Sequence, residues 1–144
     1  MKLSTRSRYG TRMMLEMARE YSEGTIHLRK IAKKQNISAK YLEQIIIPLK
    51  RAGFVEGVRG RNGGHRLSKP PHEITVGQIV QLLEHERALS PCVDSPDYCS
   101  RSHSCPARTV WVDATNALYE SLYSVTLKDL LNRESPDSQV MKSE

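Results

Sequence analysis

Three cysteines lie close together in the second half of the chain: Cys92, Cys99 and Cys105, spaced as C-x6-C-x5-C. Because the chain has three cysteines in all, a framework of structural disulfides is not expected. Single cysteines are usually small buried hydrophobic residues, but this segment is rich in serine and proline and offers little that could bury them. Several thiolates in one loop suit a soft metal ion or an iron–sulfur cluster. The pattern therefore predicts a metal centre held by these three residues.

The spacing favours an iron–sulfur cluster over zinc, because zinc sites prefer cysteines two to four residues apart. Three thiolates leave one ligand position to fill, and His103 is a candidate because it lies between the last two cysteines. A solvated loop histidine is the alternative interpretation of His103, and Asp94 and Asp97 are nearby carboxylates. A zinc-stabilised segment or a metal-free thiol switch also stays open, since a loop thiol can be both exposed and reactive.

The charge of the chain is divided unevenly along its length. The net charge is +6, but residues 1–69 hold 16 Lys and Arg against 5 Asp and Glu, whereas residues 70–144 hold 6 against 11. A strongly basic half indicates a polyanionic partner, with a solvated basic surface as the alternative. The basic half is therefore the candidate nucleic-acid-binding part.

The elements of the basic half form a recognisable order. Apolar residues at helical spacing predict a helix over 4–21, and two further helices over 28–35 and 39–53 are joined by a short turn that ends at Ser38, a good N-cap. Pro48 inside the third helix should kink it or strain one turn. Two short helices joined in this way are typical of a helix-turn-helix.

A basic hairpin is expected directly after these helices. Strands over 54–58 and 65–69 flank a glycine-rich turn that carries Arg59 and Arg61. Such a hairpin is a wing, and Thr75 then opens a capping box for a helix that should close the domain. The predicted fold class is mainly α with a small β-hairpin wing, namely a winged helix-turn-helix domain.

The second half ends in a long helix, from about Pro106 to Tyr123, with one stripe of apolar and small residues. A helix of this length extends beyond a small domain, so we expect it to pair with its copy in a homodimer. Thr126 should cap a short last helix. The expected parts are a DNA-binding domain (1–88), a cysteine-containing cluster-binding loop (89–105), a dimerisation region (106–132) and a disordered tail (133–144).

The helix that starts near Ala39 should enter the major groove with its first residues at the base edges. Gln44 suits an adenine edge and Glu43 a cytosine, although an ordinary ion pair of Glu43 with Lys40 or Lys50 is the alternative. Arginines of the wing suit a narrow minor groove. The residues expected to contact DNA are Lys2, Arg6, Arg8, Ser38, Lys40, Tyr41, Glu43, Gln44, Arg59 and Arg61.

Four segments together resemble one bacterial family: MKLSTRSRYG at the start, ISAKYLEQ at the third helix, VRGRNGGHRL at the wing, and the three-cysteine loop before a long helix. The resemblance is to the IscR/NsrR/CymR-type regulators. It implies a homodimer with crossed long helices that binds palindromic promoter DNA. For members that keep three cysteines it implies an iron–sulfur cluster that senses cluster supply, redox state or nitric oxide, whereas members without them work through protein partners.

The sequence departs from this family at several positions. The first cysteine interval is six residues where five is usual, Arg108 stands where a ligating histidine is found, and Arg8 stands where an acidic ligand is found. His65 replaces the usual wing tyrosine. The fourth ligand and the cluster type, [2Fe-2S] or [4Fe-4S], therefore stay open.

The leading hypothesis is a dimeric regulator, expected to be a repressor, whose DNA binding changes with an iron–sulfur cluster at the three cysteines. A thiol-redox or zinc-stabilised regulator is one alternative, and a protein-interaction adaptor is another. An enzyme is not expected, because no catalytic triad pattern or phosphate loop occurs. The absence of a long apolar run and of a signal peptide predicts a soluble cytoplasmic protein without membrane association.

Overall fold

The computed structural model describes residues 2–134, in which seven helices and one two-stranded sheet follow each other. This arrangement confirms the predicted fold class of a mainly helical chain with a small hairpin wing. The helices are α1 (Thr5–Arg19), α2 (Leu28–Gln35), α3 (Ala39–Arg51), α4 (Val76–Leu83), α5 (Pro91–Asp94), α6 (Pro106–Tyr123) and α7 (Leu127–Asn132). The strands are β1 (Val55–Val58) and β2 (Gly64–Leu67), and two short 3₁₀ segments cover Pro71–Glu73 and Pro96–Tyr98.

The turn between α2 and α3 is set by local residues. Asn36 takes a left-handed conformation with φ 53°, which asparagine tolerates better than most residues. The backbone N–H of Ile37 then donates to the carbonyl of Ala32 at 3.0 Å, which closes the end of α2. The Ser38 hydroxyl accepts from the N–H of Tyr41 at 3.3 Å, as its predicted N-cap role requires. Pro48 lies inside α3, as expected from the sequence.

The core lies where α1, α3 and α4 meet. Each helix contributes the apolar face that its spacing predicts, and these side chains are almost completely buried. The fully buried large side chains of these helices are Met13, Met14, Met17, Leu42, Ile45, Leu49, Ile79 and Leu83.

The wing is an antiparallel hairpin whose register pairs Val55 with Leu67 and Val58 with Gly64. Ile26 adds a single bridge to His65 beside β2, through two backbone bonds of 2.9 Å. Gly64 has φ 139°, and a Cβ there would lie 2.8 Å from the carbonyl oxygen of Ile26. Only glycine therefore allows this close approach between the wing and the segment before α2.

The last helices pack back on the winged domain. The predicted capping box at Thr75 is formed, and the predicted cap at Thr126 is a capping box as well. The N–H of Leu127 donates to the carbonyl of Ile74 at 2.9 Å. Leu127 is fully buried in the core. The disorder expected over 133–144 concerns residues that, from 135 onward, lie outside the described part of the chain. None of the described helices is long and apolar enough to cross a membrane.

Candidate nucleic-acid interface and cysteine segment

One side of α3 is open to solvent along its whole length. Lys40, Glu43, Gln44 and Ile47 are exposed there, while the opposite side is buried in the core. Within residues 2–134 Glu43 makes no ion pair, so neither Lys40 nor Lys50 occupies its carboxylate. The side chains at 43 and 44 are therefore free to meet another molecule, as a reading helix requires.

Tyr41 is less accessible than the other residues of α3 that are expected to contact DNA. It is only half-exposed, because its ring packs edge-on against the ring of Tyr9 in α1, with centroids 6.0 Å apart and planes at 80°. The guanidinium of Arg12 lies 5.4 Å from the centroid of the same Tyr9 ring. Tyr41 therefore helps to fix α3 on α1, and a phosphate contact through its hydroxyl stays a prediction.

The tip of the wing presents two arginines to solvent. Arg59 and Arg61 are exposed on either side of Gly60, which has φ 108°. The N–H of Gly63 donates to the carbonyl of Gly60 at 3.0 Å, and a Cβ at position 63 would lie 2.8 Å from that same oxygen. The backbone of the turn is therefore closely packed at Gly63, and both arginines of the turn are exposed. This shape suits insertion into a narrow groove.

The three basic residues of the N-terminus are not equivalent. Lys2 and Arg8 are exposed, and Arg8 donates to the Thr5 hydroxyl at 3.2 Å. Arg6 is half-buried and lines a cleft together with Lys2 and Glu84. The structure therefore keeps Lys2 and Arg8 available for phosphates, while Arg6 faces the segment that leads to the cysteines.

Two buried carboxylates that the sequence analysis did not single out fix α1. Glu84 accepts from the backbone N–H of Ser4 at 2.8 Å. Burial would raise the pKa of Glu84, but hydrogen bonds from Ser7 and Ser4 outweigh this and lower it. A carboxylate at this helix start also suits the helix dipole.

Glu16 is the second carboxylate, and it is 3% exposed. It accepts from Arg19, from Gln35 at 2.5 Å and from Lys34 at 3.4 Å. Burial alone would raise its pKa, yet these partners, with Arg19 first among them, lower it. Arg12 donates to the side chain and the carbonyl of the same Gln35 at 2.8 and 2.7 Å. The bonds of Gln35 to Arg12 and to Glu16 hold the end of α2 against α1. The sequence signal for this buried carboxylate is a glutamate placed between the buried methionines of α1.

The cysteine segment is more ordered than the sequence suggests. Cys92 lies in α5 and Cys105 is the residue before α6, and both are half-buried, whereas Cys99 is exposed. The expectation that little buries these thiols is therefore wrong for two of the three. Arg108 donates through Nε to the carbonyl of Cys92 at 2.8 Å, which holds α5 against the start of α6.

The thiols are not brought together with a fourth ligand. Among residues 2–134 no group of three or more His, Cys, Asp or Glu side chains is placed to hold a metal ion, and His103 is exposed. Three free thiols on one short segment suit an iron–sulfur cluster by their chemistry. The three cysteines therefore fit a cluster in the type of ligand atom that they offer. In the described structure, however, they and His103 are not arranged around one common point.

The long helix α6 leaves an apolar strip uncovered. Val110 is 56% exposed and Trp111 43% exposed, and Ala107 and Ala117 are exposed beside them. The neighbouring side of α6 faces the domain through Thr115, which lies one turn after Trp111 and is 7% exposed. Large apolar side chains in such a strip are unusual on a monomer.

The chain matches one known family along nearly all of its length. A model of the Rrf2 family, described as an iron-dependent transcriptional regulator, matches residues 3–133. The chain belongs to the Rrf2 family. This membership identifies the chain as a DNA-binding transcriptional regulator and confirms that it is not an enzyme.

Three similar proteins show what this chain resembles in sequence and in structure. The protein rrf2 of Nitratidesulfovibrio vulgaris is 42% identical over 135 residues, which cover 94% of this chain and 90% of that protein. The structure of CymR, the global cysteine regulator of B. subtilis, is 36% identical with a TM-score of 0.79, over 94% of this chain and 99% of that one. The structure of T. potens IscR is 34% identical with a TM-score of 0.76, over 92% and 87% of the two chains. The resemblance stated from sequence motifs is confirmed.

Proposed function

We propose that this Rrf2-family chain is a homodimer that binds palindromic promoter DNA and represses transcription. The observation that carries the dimer is the uncovered strip of α6, with Val110 and Trp111 exposed on a helix of 18 residues. Small neighbours such as Ala114 and Ala117 would let two copies of this helix approach closely. A twofold dimer presents two α3 helices to half-sites about one helical turn apart, which matches a palindrome.

In this proposal α3 enters the major groove and the wing enters the adjacent minor groove. Glu43 and Gln44 read base edges, and Arg59 with Arg61 follows the negative potential of a narrow minor groove. The remaining contacts are to phosphates, which position the protein without reading sequence. They come from Lys2, Arg8, Ser38, Lys40 and Tyr41, with Arg6 at the edge of the same surface.

We further propose that the cysteine segment holds the effector, as an iron–sulfur cluster ligated by Cys92, Cys99 and Cys105. The donor chemistry of three free thiols on one segment supports it, as do the iron-dependent description of the family and the likeness to IscR. Such a cluster, when bound, makes the segment sensitive to iron supply and oxidants. The chain's own contribution is to hold the carbonyl of Cys92 with Arg108 and to start α6 directly after Cys105.

A metal-free thiol switch is the second candidate, and the exposure of Cys99 favours it. An exposed thiol is accessible to oxidants and to other thiols. A similar protein, CymR, is described as a cysteine regulator. In this version the same segment acts as the input, but its chemistry is oxidation of sulfur without a metal.

Anaerobic purification separates the two candidates. The cluster version predicts a brown protein with broad visible absorption and stoichiometric iron and acid-labile sulfide, all absent from the variant with Cys92, Cys99 and Cys105 each replaced by serine. A colourless wild-type protein whose DNA binding responds to an oxidant would instead establish the thiol switch. If the serine variant responded to iron limitation and oxidant as the wild type does, the segment would not be the input.

The DNA-binding proposal is tested with a duplex selected from a randomised library on the full-length chain. A palindromic consensus and a steep loss of affinity with added salt are expected, because each neutralised phosphate releases counterions. Sedimentation of the complex should give two chains per duplex. An adaptor protein would instead yield no consensus and a weak salt dependence, and promoter transcription in vitro with and without the chain measures repression directly.

A further inference from the structure

A cleft of about 490 Å³ lies between the base of the wing and the end of α3. Its lining residues include three basic side chains, Lys50, Arg59 and His65, and no carboxylate. Lys50 comes from the last turn of α3 and Arg59 from the turn of the wing, so the cleft joins the two elements that the proposed function places on DNA. The nearest wing carboxylate, Glu56, is paired with Arg66.

The backbone of Gly57 forms the floor of this cleft. A Cβ at position 57 would lie 3.3 Å from Nζ of Lys50 and 3.7 Å from Nε2 of His65. The ammonium and the imidazole therefore approach the same point over the strand, which glycine leaves open. Two basic groups that converge on one open point, without a carboxylate between them, form a seat for an anion.

The Nε2 edge of the His65 imidazole lies at this seat, while its other ring nitrogen is shielded from solvent. Its Nδ1 is buried and has no hydrogen-bond partner among the described residues. Burial comes first, then the charges of Lys50 and His27, and together they lower the pKa of His65 below its ordinary value. A lowered pKa favours the neutral imidazole in the free protein. An anion placed next to it would reverse that balance, because an opposite charge favours the protonated form.

The position of the cleft on the proposed DNA-binding surface indicates which anion it binds. Glu43, Ile47 and Lys50 follow one another at four- and three-residue spacing, so Lys50 continues the exposed face that reads the major groove. If the wing arginines lie in the neighbouring minor groove, the sugar–phosphate strand that separates the two grooves must pass between α3 and the wing. The cleft lies at that place.

We propose that this cleft seats a backbone phosphodiester of the bound DNA, with Lys50 as the fixed positive charge and His65 taking up a proton as the phosphate arrives. DNA affinity is then highest at low pH, falls as pH rises through the pKa that His65 has in the complex, and levels off once the imidazole stays neutral in both states. One proton taken up limits the slope to about tenfold per pH unit. This inference rests on the proposed placement of α3 and the wing on DNA.

The test uses full-length protein and a fluorescent duplex selected as described above, titrated between pH 6.0 and 8.5 at constant salt. Wild type should lose at least about threefold in affinity across this range. His65→Gln should bind at every pH with the weaker affinity of the high-pH form. His65→Lys should stay tight across the range and so shows that a loss in the glutamine variant does not reflect misfolding.

Two histidine controls locate the proton, and a modified duplex locates the phosphate. His27→Gln removes the neighbouring imidazole and should keep the slope, and His72→Gln, on the exposed 3₁₀ segment, should behave as wild type. Neutral methylphosphonate is then placed at one backbone position of the duplex at a time, and one position per half-site should abolish the slope. A slope that survives His65→Gln, or one that no methylphosphonate removes, overturns the proposal. Failure to select any duplex would instead refute the proposed function itself.

Discussion

Glu16→Gln tests whether the buried carboxylate of α1 holds the helix-turn-helix in place. Glu16 is 3% exposed and accepts hydrogen bonds from Arg19, Lys34 and Gln35. Breaking a fully buried ion pair costs about 3–5 kcal/mol, but the side chains of Arg19 and Lys34 keep 17% and 30% of their surface in water. The amide also keeps one accepting oxygen. We therefore expect a loss of about 2 kcal/mol in the free energy of unfolding, of the order found for hydrogen bonds to charged groups.

The assay is urea unfolding at pH 7 and pH 4, with thermal unfolding as a second measurement. A loss of about 2 kcal/mol lowers Tm by about 4–8 °C for a chain of this size. Since the folded pKa of Glu16 lies below its unfolded value, its contribution is complete above that unfolded value and disappears as pH falls through the folded one. The difference between variant and wild type should therefore shrink in acid. Glu23→Gln, on an exposed turn, is the matched control, and a Glu16→Gln variant as stable as wild type at pH 7 would refute the reasoning.

Three further changes address the turn, the dimer and the reading helix. Asn36→Val should destabilise the chain by about 1–2 kcal/mol in urea unfolding, because a β-branched residue at φ 53° is strained, while Asn36→Gly should be close to neutral. Val110→Lys should give a monomer in sedimentation and weaken palindrome binding by about 100-fold or more, since the second half-site is no longer engaged. Gln44→Ala should reduce discrimination between bases at one position of the half-site by about 1–3 kcal/mol. Lys40→Ala should lower the affinity for all duplexes alike and reduce the dependence of that affinity on salt. A Lys40→Ala variant with altered sequence preference would contradict this division.

Local signals explain why much of the fold could be predicted from the sequence. Ser38, Thr75 and Thr126 each bond a backbone N–H three residues ahead, so the sequence around the helix start contains the whole cap. The wing follows in the same way from its glycines and alternating strands. Contacts between residues that are distant in the sequence could not be predicted. The docking of Leu127 on Ile74 and the packing of Tyr41 on Tyr9 join residues from different elements, and helical spacing does not say which elements meet.

At the cysteine segment, too, the chemistry could be predicted from the sequence but the arrangement in space could not. Its residue types were sufficient to predict soft-metal or thiol chemistry, because that chemistry belongs to the side chain itself. Its shape was not predicted, since α5 is a single turn that begins at Pro91 and is too short to have a period. The half-burial of Cys92 depends on α6, from which Arg108 reaches its carbonyl. Proximity of the three thiols in sequence therefore did not determine their arrangement in space.

The contacts of the segment indicate where a change at the cysteines would act first. The N–H of Leu89 donates to the Thr115 hydroxyl at 3.2 Å, and this hydroxyl donates to the carbonyl of Trp111 at 2.7 Å. Arg108 holds Cys92 on the same helix. Both attachments are to α6, the helix that pairs two copies in the proposed dimer, and α3 takes no part in them. A change at Cys92 would therefore alter how two subunits are held before it alters how either one reads its bases, so we expect an effector to change binding to a full palindrome far more than binding to an isolated half-site.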